Sequence, residues 1–196
     1  MMKRLFPILM LCALAALWAG CASTPSKFYT LSPTAEPGGT TASYSVAVGP
    51  VSVPAMIDRP QMVVNVGPNQ VGIDEFNRWA SPLQNDMARV VAENLVNILG
   101  TPLVSAFPQS TAAGASYRVL IDVNRFESTP GKNTTLDAIW TVRRTKDGRS
   151  RSGRTTMSEP LGDKSYATLV AAHSHALGRM SNELAGAIRA LESGGP

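Results

Sequence analysis

Cysteine and histidine are scarce in this sequence of 196 residues, and their positions restrict the chemistry that it can carry. The two cysteines, Cys12 and Cys21, lie within and at the end of the apolar N-terminal segment. Because no cysteine follows Cys21, the rest of the chain forms no disulfide framework and no thiolate metal site. His173 and His175 are spaced by two on a predicted helix, so their side chains diverge and do not chelate one metal ion. We expect a half-buried His173, a surface His175 and no metal or other cofactor.

Charge and catalytic motifs are also sparse. Charged residues make up 16% of the sequence, below the roughly 25% that is usual in soluble domains. The net charge is +4, and Lys3 and Arg4 supply two of those charges from a segment that we expect to be removed. The charge therefore gives no support to a nucleic-acid partner. The sequence has no G-x-S-x-G elbow, phosphate loop or H-E-x-x-H helix, which favours a protein that is not an enzyme.

The N-terminal segment has the three parts of a secretory signal. Lys3 and Arg4 are followed by an apolar run over residues 5–18, interrupted only by Pro7, and then by two small residues. A helix of that run is about 21 Å long, which is short of the ~30 Å hydrocarbon core of a bilayer. We therefore predict a signal peptide over residues 1–20 rather than a permanent transmembrane helix.

The residues around Cys21 distinguish two kinds of signal. One kind is cut after a small-x-small site and releases a soluble protein, whereas the bacterial lipoprotein signal is cut before a diacylglycerol-bearing Cys. Ala19-Gly20-Cys21 resembles the lipoprotein signal, although Trp18 stands where Leu is common. We predict S-diacylglycerol and N-acyl chains on Cys21, because two or more chains hold a protein stably on a bilayer. By analogy with lipoprotein sorting, Ala22 in place of Asp predicts the outer membrane.

The remaining chain is predicted to form a spacer and one α/β domain. Residues 21–44 are rich in Ser, Thr, Pro and Gly, as in a spacer, with a possible first strand at 28–31. Residues 45–192 alternate strand and helix patterns, which predicts a mixed β-sheet with helices packed on it in a three-layer, sandwich-like arrangement. Strands are predicted at residues 44–53, 62–66, 70–73, 117–127, 134–145 and 149–157.

Two helices are predicted, and the first has local start and stop signals. Ser81 is the expected N-cap, Pro82 fits the first helical position and Gln84 completes a capping box. Gly100 ends this helix, and the second helix covers residues 165–191. The side of the first helix opposite its apolar stripe is predicted to be largely polar, with Gln84, Asp86, Arg89, Glu93 and Asn97.

Basic residues crowd the predicted hairpin around Lys146-Asp147-Gly148. One interpretation is an edge strand protected from aggregation by charge. The other is a contact surface for acidic lipid headgroups or an acidic protein face, to which arginine is well suited. Candidate contact residues are Arg143, Arg144, Arg149, Arg151 and Arg154.

Three segments carry a resemblance to a known family. FYTL at residues 28–31, VGPVSVPAMIDRPQ at 48–61 and RWASPL at 78–83 resemble the ABC-type transport auxiliary lipoproteins, including the paraquat-inducible protein C type. Ser81 departs from the acidic residue more familiar at its position. The family-motif residues in this sequence are Pro54, Asp58, Arg59, Trp79, Pro82 and Leu83.

The resemblance implies a function that the residues alone do not give. It implies an outer-membrane lipoprotein that faces the periplasm and accompanies a mammalian-cell-entry (MCE) domain protein in lipid transport between membranes. It also implies an adaptor without catalytic residues, with a homo-oligomeric ring as one possible form. Two alternatives stay open: an envelope or lipopolysaccharide assembly lipoprotein that uses the Arg-rich hairpin, and a tethered periplasmic hydrolase, for which the sequence shows no activated nucleophile.

Replacing the acylated residue tests the predicted anchor. Cys21→Ser is expected to abolish fatty-acid labelling and to release the protein from the membrane fraction, because the variant has no thiol at position 21 to receive diacylglycerol. Cys12→Ser is the control and is expected to behave as the wild type. A Cys21→Ser protein that stays membrane-bound and is cut at the same bond contradicts the prediction.

Overall fold

The strands of the domain divide into two sheets of mixed direction. The computed structural model describes residues 24–39, 41–109 and 112–194; Cys21 and the signal segment lie outside these ranges. Helix α1 covers Leu83–Leu99 and helix α2 covers Tyr166–Glu192. The strands are β1 Lys27–Tyr29, β2 Val46–Ser52, β3 Gln61–Gly67, β4 Gln70–Trp79, β5 Val104–Ala106, β6 Tyr117–Thr129, β7 Asn133–Arg144 and β8 Ser150–Pro160.

The larger sheet has the order β5-β2-β6-β7-β8, in which β2 is parallel to β5 and β6 and the other pairs are antiparallel. The smaller sheet has the order β1-β4-β3, with β1 parallel and β3 antiparallel to β4. It lies beside β6, where Asn65 Nδ2 donates a 3.4 Å hydrogen bond to the Glu127 carboxylate. The predicted α/β class with helices packed on mixed β-structure is confirmed, and the strands form two mixed sheets.

Alternation along the long strands places the helices on one face of the larger sheet. In β6, Tyr117, Val119 and Ile121 are buried against the helices, and Leu120 between them is 39% exposed. Trp140 of β7 faces the same core and lies across Gly153 of β8, where an added Cβ would overlap the indole ring. The helical layer and the larger sheet therefore share one apolar core. Neither described helix has the length and apolar character needed to cross a bilayer.

Helix α1 ends as predicted and begins differently. Gly100 adopts the left-handed conformation (φ 63°), and its N–H bonds the Val96 carbonyl at 3.0 Å. The predicted capping box is wrong, because no side chain caps the N-terminus and Pro82 directly precedes the first helical residue. Gln84 instead donates through Nε2 to the Asp58 carboxylate at 3.1 Å. Gln84 therefore bonds Asp58, which is distant in the sequence, and not the predicted N-cap residue Ser81.

Part of the predicted spacer is packed on the domain. We call residues 30–39 the strap. Leu31 is 1% exposed, and its N–H donates to the Asp86 carboxylate at 2.7 Å. The hydroxyl of Thr30 donates to the same carboxylate at 3.1 Å, and Arg89 pairs with it at 2.6 Å. Asp86 is 3% exposed, although it lies on the side of α1 opposite the predicted apolar stripe.

Asparagine and serine side chains hold the rest of the strap. The Asn94 Oδ1 atom accepts the N–H groups of Thr34 and Ala35, both at 2.9 Å. The Ser174 hydroxyl of α2 accepts the N–H of Ser32 at 3.1 Å. The strap thus crosses both helices, and helix side chains satisfy its backbone donors in place of water. Ser, Thr and Pro content does not reveal these hydrogen-bond partners, which lie 55 to 142 residues away in the sequence.

Removing the Asp86 carboxylate is expected to destabilise the domain. Asp86→Ala leaves the buried Leu31 N–H without its acceptor and should lower the free energy of unfolding by about 1–3 kcal/mol. Glu93→Ala is the matched control, because Glu93 pairs with the same arginine but is 43% exposed. That change is expected to fall within about 0.5 kcal/mol of wild type. Urea unfolding followed by circular dichroism measures both, and equal losses would contradict the role of Asp86.

Candidate docking site

Backbone hydrogen bonds bring the family-motif segments into contact. The turn after β2 is closed by the Ile57 N–H, which donates to the Pro54 carbonyl at 3.0 Å. The Trp79 N–H donates to the Pro60 carbonyl at 2.7 Å, and the Ala80 N–H donates to the Tyr29 carbonyl at 2.8 Å. Together these segments form a groove of about 310 Å³, here called the motif groove. Its lining residues are Asp58, Arg59, Pro60, Trp79, Ala80, Ser81, Pro82 and Leu83.

The motif groove combines an apolar floor with a charged rim. Trp79 and Leu83 are 7% and 2% exposed and form part of its wall, whereas Asp58 and Arg59 are exposed. Asp58 is fixed by the hydrogen bond from Gln84, and Pro82 stiffens the entry to α1. A rigid apolar recess bordered by opposite charges suits a protein segment that inserts an apolar side chain.

Gln84 lies next to the motif groove, where sequence reasoning missed its contact with the lining residue Asp58. Its Oε1 atom is buried and has no hydrogen-bond partner among the described residues. A buried acceptor in that state costs about 1–3 kcal/mol. Interpreting Gln84 as a cap residue hid its contact with Asp58, because that proximity is a property of the tertiary fold only.

A buried histidine lies behind the groove floor. Trp79 packs against Phe126 with ring centroids 6.2 Å apart, and Phe126 stacks on His173 at 3.7 Å. The His173 Nε2 and Ser128 Oγ atoms are 2.8 Å apart. Burial lowers the pKa of His173 to about 3, so the ring is neutral at physiological pH. The prediction of a half-buried ring underestimated its burial, since His173 is 1% exposed; His175 is exposed as expected.

Arg144, one of the five candidate contact arginines, is turned into the protein. It is 7% exposed and donates to the Asp147 carboxylate at 3.0 and 2.5 Å and to the Leu191 carbonyl at 2.5 Å. The two bonds from Arg144 to the Asp147 carboxylate lower the pKa of Asp147 to about 2. Arg144 therefore joins the hairpin to the end of α2 and does not present its charge to a lipid or protein surface.

The remaining arginines divide between an ion pair and the hairpin surface. Arg154 donates to Asp137 at 2.7 and 2.6 Å on the open face of the larger sheet, and this contact lowers the pKa of Asp137. Arg143, Arg149 and Arg151 are exposed near the β7–β8 turn. The five candidates therefore do not form one surface. Within the described residues, no group of three or more His, Cys, Asp and Glu side chains is placed to hold a metal ion.

Comparison with known proteins identifies the family of the chain. Residues 29–185 match the family described as "ABC-type transport auxiliary lipoprotein component". The chain belongs to this family. The match includes every motif-groove residue and the resemblance noted from the sequence is confirmed. No curated protein matches the sequence.

Two solved structures share the fold of this family member. A DUF330-family protein from Xanthomonas campestris is 22% identical, with a TM-score of 0.67 over 82% of this chain and 93% of its own. A second crystal structure, titled only as an uncharacterized protein, is 18% identical, with a TM-score of 0.69 over 84% of this chain and 99% of its own. At these identities the likeness establishes the fold alone.

The buried histidine makes stability depend on pH. The unfolded chain binds a proton at the ordinary histidine pKa of 6.5, whereas the folded protein binds it only near pH 3. The free energy of unfolding should therefore fall as the pH drops below about 6.5, with a slope approaching about 1.4 kcal/mol per pH unit. The measurement is urea unfolding between about pH 7 and 5, above the range in which most carboxylates titrate.

The two histidines supply their own control. His173→Gln is expected to flatten the dependence between those pH values, because the variant has no ring to titrate. His175→Gln is the matched control and should keep the wild-type slope, since it changes an exposed histidine two positions away and leaves the buried ring of His173 in place. The same slope in the wild type and in His173→Gln would contradict the assignment.

Proposed function

We propose that this chain is a non-enzymatic subunit of an ABC-type lipid transport system, anchored by acylated Cys21 to the periplasmic face of the outer membrane. In this role it docks the ring or tube of an MCE-domain protein. Family membership supports the transport-auxiliary part of the proposal. The sequence Ala19-Gly20-Cys21, followed by Ala22, supports the anchor and its membrane. A homo-oligomeric ring stays a prediction of the sequence resemblance.

The observation that carries the docking role is the motif groove. It gathers Asp58 and Arg59 from one motif and Trp79, Pro82 and Leu83 from another into one surface recess. Asp58 and Arg59 are exposed at the rim of this recess, so they add charge to its surface without filling the core. Apolar pockets with fixed polar rims are where binding energy concentrates in protein interfaces. The groove is therefore the proposed contact with the transporter.

The alternative role, in envelope assembly, rests on the exposed part of the hairpin. Arg143, Arg149 and Arg151 lie at the surface near the β7–β8 turn, where anionic groups could reach them. Arg144 and Arg154 are committed to Asp147 and Asp137, which reduces the charge that this surface offers. The motif groove therefore has the stronger support.

Filling the motif groove tests the docking role. Ser81→Trp places a large ring at an exposed position of the groove lining and should reduce co-purification of the MCE-domain partner from detergent extract by about tenfold or more. Ser152→Trp, at an exposed position of β8, is the matched control and should leave co-purification unchanged. The amount recovered is compared at equal membrane levels of each variant.

Two results would count against the groove. Full co-purification by Ser81→Trp would show that the partner docks elsewhere. Loss of lipid binding by the double variant Arg143→Glu and Arg151→Glu, with partner binding intact, would favour the assembly role. Both readouts come from the same extracts, so one preparation distinguishes the two functions.

A further inference from the structure

Exposed apolar side chains are concentrated in the smaller sheet. Among the described residues, ten large hydrophobic side chains are exposed, and five of them belong to the three strands β1, β3 and β4. Those strands contain a minor share of the chain, so the concentration is local. Scattered single apolar residues are normal on a protein surface, whereas a clustered set indicates a contact surface. The five residues are Phe28, Val66, Val71, Ile73 and Phe76.

Strand register places three of these residues on one side of the sheet. Residues that pair across neighbouring strands project to the same face. Ile73 pairs with Val63 and Val71 pairs with Asn65, so both project away from the buried Met62 of β3. Phe28 pairs with Arg78, which alternates along β4 with the buried Trp79, so Phe28 also projects away from the core. We call Phe28, Val71 and Ile73 the outer sheet face; they are 65%, 39% and 45% exposed.

Polar and basic groups border the outer sheet face. Arg78 pairs with Glu75 at 3.2 Å beside Phe28, and Gln61 bonds the same carboxylate at 3.2 Å. Lys27 is exposed at the start of β1. The margin therefore carries basic and amide groups together with the Glu75 carboxylate, which pairs with Arg78. An aromatic and aliphatic surface with such a polar margin matches the boundary between headgroups and acyl chains.

The length of chain before β1 indicates what covers this face. Six peptide steps separate Cys21 from Lys27, and a fully extended segment of that length spans at most about 20–22 Å. An acylated Cys21 would therefore keep β1 close to the bilayer surface. Since β1 is an edge of the smaller sheet, the sheet is the part of the domain that the anchor brings nearest to the lipid.

We propose that the outer sheet face lies on the bilayer, with Phe28, Ile73 and Val71 in the headgroup region. This inference rests on the acylation of Cys21 that the proposed function includes. The acyl chains then retain the protein at the membrane, and the outer sheet face sets the orientation of the domain on it. The occupant of the face is a lipid surface rather than a second copy or a transporter segment.

Depth-dependent fluorescence quenching tests the orientation. The acylated full-length protein is reconstituted into vesicles of phosphatidylethanolamine and phosphatidylglycerol whose acyl chains carry bromine near the headgroup end. Ile73→Trp should lose at least about twofold more of its added fluorescence than Ile139→Trp. Ile139 is the matched control, because it is also a strand isoleucine, is 43% exposed and lies on the open face of the larger sheet.

Background signal and folding are both controlled. The native Trp79 and Trp140 are 7% and 8% exposed, and their signal is subtracted by measuring the wild type. Phe28→Trp repeats the measurement on β1, so a folding defect at position 73 leaves the test intact. Circular dichroism confirms the fold of each variant before reconstitution.

Each remaining outcome overturns a named part of the proposal. Equal quenching at positions 73 and 139 in membrane-bound protein overturns the orientation and leaves the anchor standing. Added tryptophans at 28 and 73 that are shielded from both brominated lipid and aqueous acrylamide indicate a protein occupant and overturn the lipid surface. Protein that never enters the membrane fraction overturns the anchor itself, before any quenching is measured.

Discussion

The buried carboxylate of Asp86 fixes the N-terminal part of the chain, and the rest of the site depends on that placement. It accepts the Leu31 N–H at 2.7 Å and pairs with Arg89 at 2.6 Å, so its charge is compensated while its burial excludes water. With Leu31 in place, β1 can lie parallel to the end of β4. The Tyr29 carbonyl then receives the Ala80 N–H, and the wall of the motif groove is positioned.

The motif groove and the core behind it form one continuous aromatic layer. Trp79 belongs to the groove lining and to the core, and it reaches His173 through Phe126. A family motif of this kind therefore combines two requirements, because the same residues fill the interior and shape the surface. The exposed charges of Asp58 and Arg59 are the part that packing alone does not explain.

Local signals in the sequence predicted the elements well, and partners distant in the sequence account for the failures. The alternation of apolar and polar residues predicted the long strands, and Gly100 predicted the end of α1. The burial of Asp86 on the polar side of α1 was not predicted, because no residue near it in the sequence indicates that the strap covers it. The inward orientation of Arg144 could have been predicted, because it continues the inward alternation of Ala138, Trp140 and Val142 along β7. The contact of Gln84 could not, because its partner Asp58 lies on a turn before β3.

The strap also determines how mechanical load passes through the domain. A force applied at the N-terminal end of the described chain enters at β1, which shares only three residue pairs with β4. The next contact along that path is the hydrogen bond from Ala80 to Tyr29, in the wall of the motif groove. The hydrogen bond from the Leu31 N–H to the Asp86 carboxylate follows it and transmits the remaining tension to α1. Stretching the chain between a fixed N-terminus and a bound partner would therefore strain the groove before it strains the core.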